Sequence, residues 1–216
     1  MLAVLLLAVA SSALASPAAP PSHSRLSHSE FFNLLISVSN PSSDFSDSPV
    51  NGLQLDAVHV GAGLNAPTPA AKGATFFSTV NQTVRLANTG TNPYGFVISD
   101  QPEEADGKVY DLGINIGTGM RGFAVAGEGK CLELRAPRKG TFAVCDTGFE
   151  AYAHPKRVLK FVDRGEKDGY VPGDCTAVSL VPVCADGEGD GESEGVVVRC
   201  HADQADVTLE KGEVCW

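Results

Sequence analysis

Apolar residues in this chain recur at every second position, and no segment sustains the 3.6-residue spacing of an amphipathic helix. Phe32, Leu34, Ile36 and Val38 are apolar, while Asn33, Ser37 and Ser39 are polar. That is the period of a half-buried strand, and Asn40-Pro41 ends it. Leu53 and Leu55 alternate with Gln54 and Asp56, and the parity then shifts at Val58 and Val60. The shift predicts a bulge near Ala57 or a strand end. Thr75-Phe76-Phe77 and Val84-Arg85-Leu86, on either side of Asn81-Gln82, read as a hairpin. Phe96 to Ser99 reads as a short strand. Tyr110, Leu112, Ile114 and Ile116 give the cleanest alternation, and Phe123 and Val125 follow a Gly-rich turn. Further strands are expected at Leu132 to Leu134, Phe142 to Val144, Val158 to Val162, Thr176 to Val183, Gly195 to Cys200 and Val207 to Leu209.

About ten short strands separated by turn residues predict an all-β domain, an antiparallel β-sandwich or barrel. The β-trefoil is the alternative, without a clear threefold repeat to support it. One domain is expected over residues 31–216. Before it, Met1 to Ala15 has an apolar stretch and an Ala13-Leu14-Ala15 end, the pattern of a secretory signal peptide. Residues 16–30 are rich in Pro, Ser and Ala and read as a flexible leader. Residues 185–195 carry five carboxylates among glycines and read as an exposed acidic loop. The chain ends Glu213-Val-Cys-Trp216 without an apolar tail, so no glycolipid anchor signal is expected.

Export changes how the cysteines are read. Cys131, Cys145, Cys175, Cys184, Cys200 and Cys215 are six in number, and an even count in an oxidising compartment predicts disulfides. If Leu134 faces Phe142 across a five-residue loop, Cys131 faces Cys145. Closing that loop contributes roughly 3 kcal/mol in the chain-entropy model. Cys175–Cys184 and Cys200–Cys215 then follow as local pairs, with crossed pairing of these four as the alternative. No C-x-x-C pair is present, so no zinc site is expected.

The chain of 216 residues carries a net charge of −10. That balance is a poor match to a nucleic-acid backbone, which needs a basic face. Past the first fifteen residues, no apolar run approaches the ~20 residues of a spanning helix. The charge is uneven: ten of the sixteen Lys and Arg fall between Arg121 and Lys167, against six acidic residues there. A mixed, solvated surface is the expected reading, with a mildly basic face as the sharper one.

Candidate chemistry is sparse. Gly117-Thr-Gly119-Met-Arg-Gly122 fits G-x-G-x-x-G. A dinucleotide site needs a helix to open there, and Phe123-Ala-Val-Ala reads as strand, so a glycine turn is expected. Of His23, His28, His59, His154 and His201, none lies in a zinc-protease motif, and His59 reads as a buried histidine near a strand end. Asp186, Glu188 and Asp190 alternate as in a calcium loop, but Val197 stands where the closing carboxylate belongs. No G-x-S-x-G is present. Asp100 with Glu103, or Glu104 with Asp106, are the carboxylate pairs a glycosidase would use. Trp216 is the single tryptophan, which leaves few platforms for a sugar ring. No cofactor, metal or catalytic residue is assigned. Asn81-Gln82-Thr83 is an N-glycosylation sequon at the expected hairpin tip.

The order of segments resembles a group of small secreted fungal proteins of unknown function. The segments that carry the resemblance are Phe32-Asn-Leu-Leu-Ile-Ser-Val-Ser-Asn-Pro41, Val50-Asn-Gly-Leu-Gln-Leu55, His59-Val-Gly-Ala-Gly-Leu-Asn65, Gly129-Lys-Cys-Leu132, Phe142-Ala-Val-Cys-Asp146 and Cys175-Thr-Ala-Val-Ser-Leu-Val-Pro-Val-Cys184. The strand order is distantly similar to phialide-type fungal cell-wall proteins. The resemblance implies a secreted or wall-associated β-protein, with cell-wall polysaccharide or an extracellular protein as partner, and supplies no catalytic residue. A non-catalytic extracellular protein is therefore the expected function. A secreted carbohydrate-active enzyme with paired carboxylates is the alternative.

Overall fold

The computed structural model describes residues 25–103, 108–148, 155–163, 171–187 and 195–207. Among them are fifteen strands and three single turns of 3-10 helix, and no α-helix. The signal segment, residues 188–194 of the acidic loop and the expected strand end at 208–209 lie outside the described residues.

Eight strands form the wall: β2 (Phe31–Val38), β5 (Phe76–Thr79), β6 (Val84–Leu86), β7 (Tyr94–Pro102), β8 (Val109–Ile116), β12 (Arg157–Asp163), β11 (Gly140–Asp146) and β13 (Cys175–Ala185). In that order each pairs antiparallel with the next. The circle closes because β13 also pairs with β2, from Val178↔Val38 to Ala185↔Phe31. The expected choice between sandwich, barrel and trefoil thus resolves to a closed eight-stranded antiparallel barrel with strands added outside the circle. Closure removes the open edges that a flat sheet would leave.

Alternation on these strands builds the interior. Phe32, Leu34 and Ile36 of β2, Phe76 of β5, Phe96 and Ile98 of β7, Leu112 and Ile114 of β8, Phe142 and Val144 of β11, and Leu159 and Phe161 of β12 share one buried cluster. The rings run in sequence, with Phe32–Phe76 centroids 6.5 Å apart, Phe76–Phe96 5.4 Å and Phe96–Phe123 5.5 Å. Edge-to-face and tilted geometries of this kind favour aromatic pairs. The interior is filled with side chains.

Additional strands close the ends. β3 (Gln54–Gly61) and β4 (Leu64–Ala70) form a hairpin that leaves β2 at Leu35↔Gln54. β4 then packs on β8 and β12, on the far wall. Ile116 N–H donates to Gly63 O at 2.8 Å, so the hairpin spans that end. Its register shifts between His59 and Gly61, two residues beyond the Ala57 region where a bulge was expected. β9 (Ala124–Ala126) and β10 (Glu133–Arg135) pair with each other, and Phe123 and Leu134 beside them join the core. At the end where β2 starts and β13 finishes lie β1 (Leu26–Ser29), β14 (Gly195–Val196) and β15 (Val198–His201). β14 pairs with β5, β15 with β13, and β1 with β15.

Two expectations need correction here. Leu26–Ser29 falls in the stretch read as flexible leader, yet it forms β1 through four residue pairs with β15. Its sequence, Leu-Ser-His-Ser, carries no alternation, and the partner strand supplies the order. The cysteine hairpin is the second. β10 pairs with β9, not β11, while β11 pairs with β12 over seven residues and with β13 over four. Three residues of β10 could not match that ladder, which sets Phe142 against Phe161 and Val178. Cys145 stands opposite Cys175 and bonds to it, with a Cα–Cα distance of 4.0 Å. Cys184 bonds to Cys200 at 5.1 Å. These bonds replace the expected Cys131–Cys145, Cys175–Cys184 and Cys200–Cys215. Cys131 is also disulfide-bonded.

Candidate functional site on the outer wall

Outward positions of the wall strands alternate with the core positions, and four elements bring polar ones together. Asp146 ends β11, Lys160 projects from β12, Glu103 follows β7, and Asp174 precedes β13. They surround a cavity of about 290 Å³ with Thr147 and the Cys145–Cys175 disulfide in its lining. Lys160 is nearly buried and contacts the Glu103 carboxylate, with Asp111 Oδ1 at 3.5 Å on its other side. Asp146 accepts from Gly148 N–H at 2.8 Å, and its own N–H donates to Asp174 O at 2.9 Å. Lys156 Nζ also lies 3.9 Å from Asp146 Oδ2, so the lining carries charge of both signs and suits a polar group. Among the described residues no group of three or more His, Cys, Asp or Glu is arranged to hold a metal ion.

Close by, a second cluster fastens the loop after β2. Arg157 lies over the Phe45 ring, 4.1 Å from its centroid, and donates to Ser48 O and to Asp47 Oδ1, the latter at 2.5 Å. Lys156 Nζ donates to Asp47 Oδ2 at 2.7 Å. The hydrogen bond from Lys156 is the main cause that holds the Asp47 carboxyl down at about 2; burial opposes it, and the hydrogen bond and charge of Arg157 add to the lowering. The same contact raises Lys156 above its ordinary value. Asp44 supports the loop by accepting from the N–H groups of Phe45, Val50 and Asn51. Such a constellation of aromatic, arginine and loop carboxylate has no local signature, because β12 and residues 44–51 are far apart in sequence.

The sequence candidates fall in separate places. Asp100 is exposed, with Arg138 Nη2 at 3.4 Å from Oδ1, while Glu103 is taken by Lys160. Glu104 and Asp106 lie outside the described residues. Five residues of the basic stretch have acid partners: Arg135 pairs with Glu133 of its own strand, Arg138 with Asp100, Lys156 and Arg157 with Asp47, and Lys160 with Glu103.

The G-x-G-x-x-G segment forms a turn with positive φ at Gly117, Gly119 and Gly122 and opens no helix. It lies against β7: Met120 N–H donates to Phe96 O at 2.7 Å, and a Cβ on Gly95 would come within 2.6 Å of Gly119 Cα. Positive φ at all three positions favours glycine, and at Gly119 the close approach to Gly95 leaves no room for a Cβ. His59 is exposed on β3, against the expectation of burial, because the hairpin it belongs to leaves the barrel wall. Among the described residues the buried histidine is His201, beside Cys200. Asn81 is exposed in the β5–β6 turn, where Gln82 has φ 57°, and Thr83 Oγ1 lies 2.8 Å from Thr79 Oγ1.

Taken together, the chain is a closed, internally packed antiparallel barrel protein with a polar pocket on its outer wall. Residues 29–184 match the family described as Domain of unknown function (DUF7907), and the chain belongs to that family. It is also similar to "Antigenic protein SchS34" of Stachybotrys chartarum, with 28% identity over 187 residues that cover 80% of this chain and 83% of that protein. No solved structure matches the chain.

Proposed function

We propose that this chain is an exported, non-catalytic barrel protein that meets its partner at its outer surface, with cell-wall polysaccharide as the partner class. The observation that carries this reading is the filled interior. Phe32, Phe76, Phe96, Phe123 and Phe161 are fully buried in the barrel, so a ligand has to be met from outside. Disulfides in the wall support an oxidising compartment. The apolar Met1–Ala15 segment supports export, and the exposed Asn81 sequon supports glycosylation on that route. The distant resemblance of the strand order to phialide-type fungal cell-wall proteins is in keeping with retention there. Fractionating a producing culture tests the reading. The mature protein is expected in the supernatant or in a salt-extracted wall fraction, beginning at or near Ser16 and bound by insoluble wall polysaccharide. An intact Met1 on protein confined to the cell interior contradicts export. Turnover of a polysaccharide that Glu103→Gln abolishes favours the paired-carboxylate enzyme instead.

A further inference from the structure

The two disulfides sit in different mechanical settings. Cys145–Cys175 joins strands that are already zipped, since β11 shares seven residue pairs with β12 and four with β13. Cys184–Cys200 joins β13 to β15, which share the single pair Val183↔His201. β1 in turn pairs with β15. Side-chain ties of this ribbon include Ser29 Oγ to Ala185 O at 3.2 Å and Arg199 Nη2 to Gly127 O at 2.7 Å, with two β14–β5 pairs just before it and, just after it, Gln204 Nε2 to Gly52 O at 3.0 Å and Val207 packed against Val181 and Val183. Beneath the ribbon, Val198 packs on the main core, and Cys200 and His201 are buried. The family match covers residues 29–184 and ends on Cys184, so β15 lies beyond it.

We propose that the Cys184–Cys200 disulfide is a thiol-sensitive clasp. Reducing it with a low-molecular-weight thiol lifts the β1–β15 ribbon from the barrel end and leaves the wall closed. The thiolate attacks Cys184 Sγ, because Cys184 is half-buried and Cys200 is fully buried. A mixed disulfide forms on Cys184, and Cys200 leaves as a thiolate that takes a proton from water. A second thiolate attacks the small-thiol sulfur of that mixed disulfide. It releases Cys184 as a thiol and forms the small-molecule disulfide, so two thiols supply the two electrons. The open state exposes the β13 edge at Val183 and the core surface under Val198.

Hydrogen exchange on the full chain tests the clasp, comparing the oxidised protein, the glutathione-treated protein and a Cys184→Ser/Cys200→Ser variant. Amides of residues 26–29 and 198–201 are expected to exchange up to roughly 100-fold faster once the bond is gone. β7 and β8 should keep their protection. Brief glutathione treatment should place the first adduct on Cys184. Unchanged ribbon exchange overturns the proposal, as does simultaneous loss of protection in β7 and β8 or an adduct confined to Cys200. If the double variant does not fold, the glutathione titration of the oxidised protein carries the test. A Cys145→Ser/Cys175→Ser control should leave ribbon exchange unchanged, and equal loosening there also overturns the clasp.

Discussion

Phe96 shows how one side chain joins local pattern to global shape. It alternates with outward neighbours on β7 and touches Phe76 at 5.4 Å and Phe123 at 5.5 Å between ring centroids. Those partners come from another wall strand and from the start of the β9–β10 ribbon. Phe96→Ala would leave a void among rings that have few ways to collapse, so a loss of ~3–5 kcal/mol is expected. Urea unfolding reads it as a lower midpoint with an unchanged slope. A loss below about 1 kcal/mol would mean that the interior is loosely filled. Asp47 acts in the opposite regime, at the surface. Its folded-state value of about 2 is below the ordinary 3.8. Its contribution is therefore fully present above 3.8 and is lost as pH falls toward 2. The stability gap between the native chain and Asp47→Asn should be small, because the carboxylate is exposed, and should close as pH falls through that window. A gap that stays constant down to pH 2 would rule out the ion pairs with Lys156 and Arg157 as its source.

Strands whose order is local were legible, and those made by partners were not. β2 and β8 follow from the alternation of Phe32, Leu34 and Ile36 and of Leu112 and Ile114, all of which are buried. β4 was missed because Leu-Asn-Ala-Pro-Thr-Pro-Ala has two prolines and no alternation. In the structure Pro67 and Pro69 sit opposite Ala57 and Leu55 in the β3 ladder. Proline has no N–H to give, which suits a strand at the end of the sheet order and blunts that edge against stray pairing. The cysteine hairpin failed for a related reason. Proximity in sequence favours Cys131 with Cys145, whereas a closed wall gives β11 a neighbour on each side, and the partners that bury Phe142 are β12 and β13. The pocket was illegible in the same way. Glu103, Asp146, Lys160 and Asp174 come from four elements, and only the strand order places them together.

At the scale of the molecule, closure accounts for most of what the chain does with its residues. The wall leaves its eight strands paired on both sides, and the added strands occupy the ends. All-β class and disulfide chemistry could be read from alternation and cysteine count. The number of wall strands could not, because closure depends on the β13–β2 pairing, between segments far apart in the sequence. That pairing fixes the register of β13, and β13 sets Cys175 against Cys145 and Cys184 within reach of Cys200. Peptide mapping under non-reducing conditions therefore tests the barrel itself. The expected fragments link Cys145 with Cys175 and Cys184 with Cys200. A fragment that links Cys131 with Cys145 would contradict the β11–β13 neighbourhood and with it the closed wall.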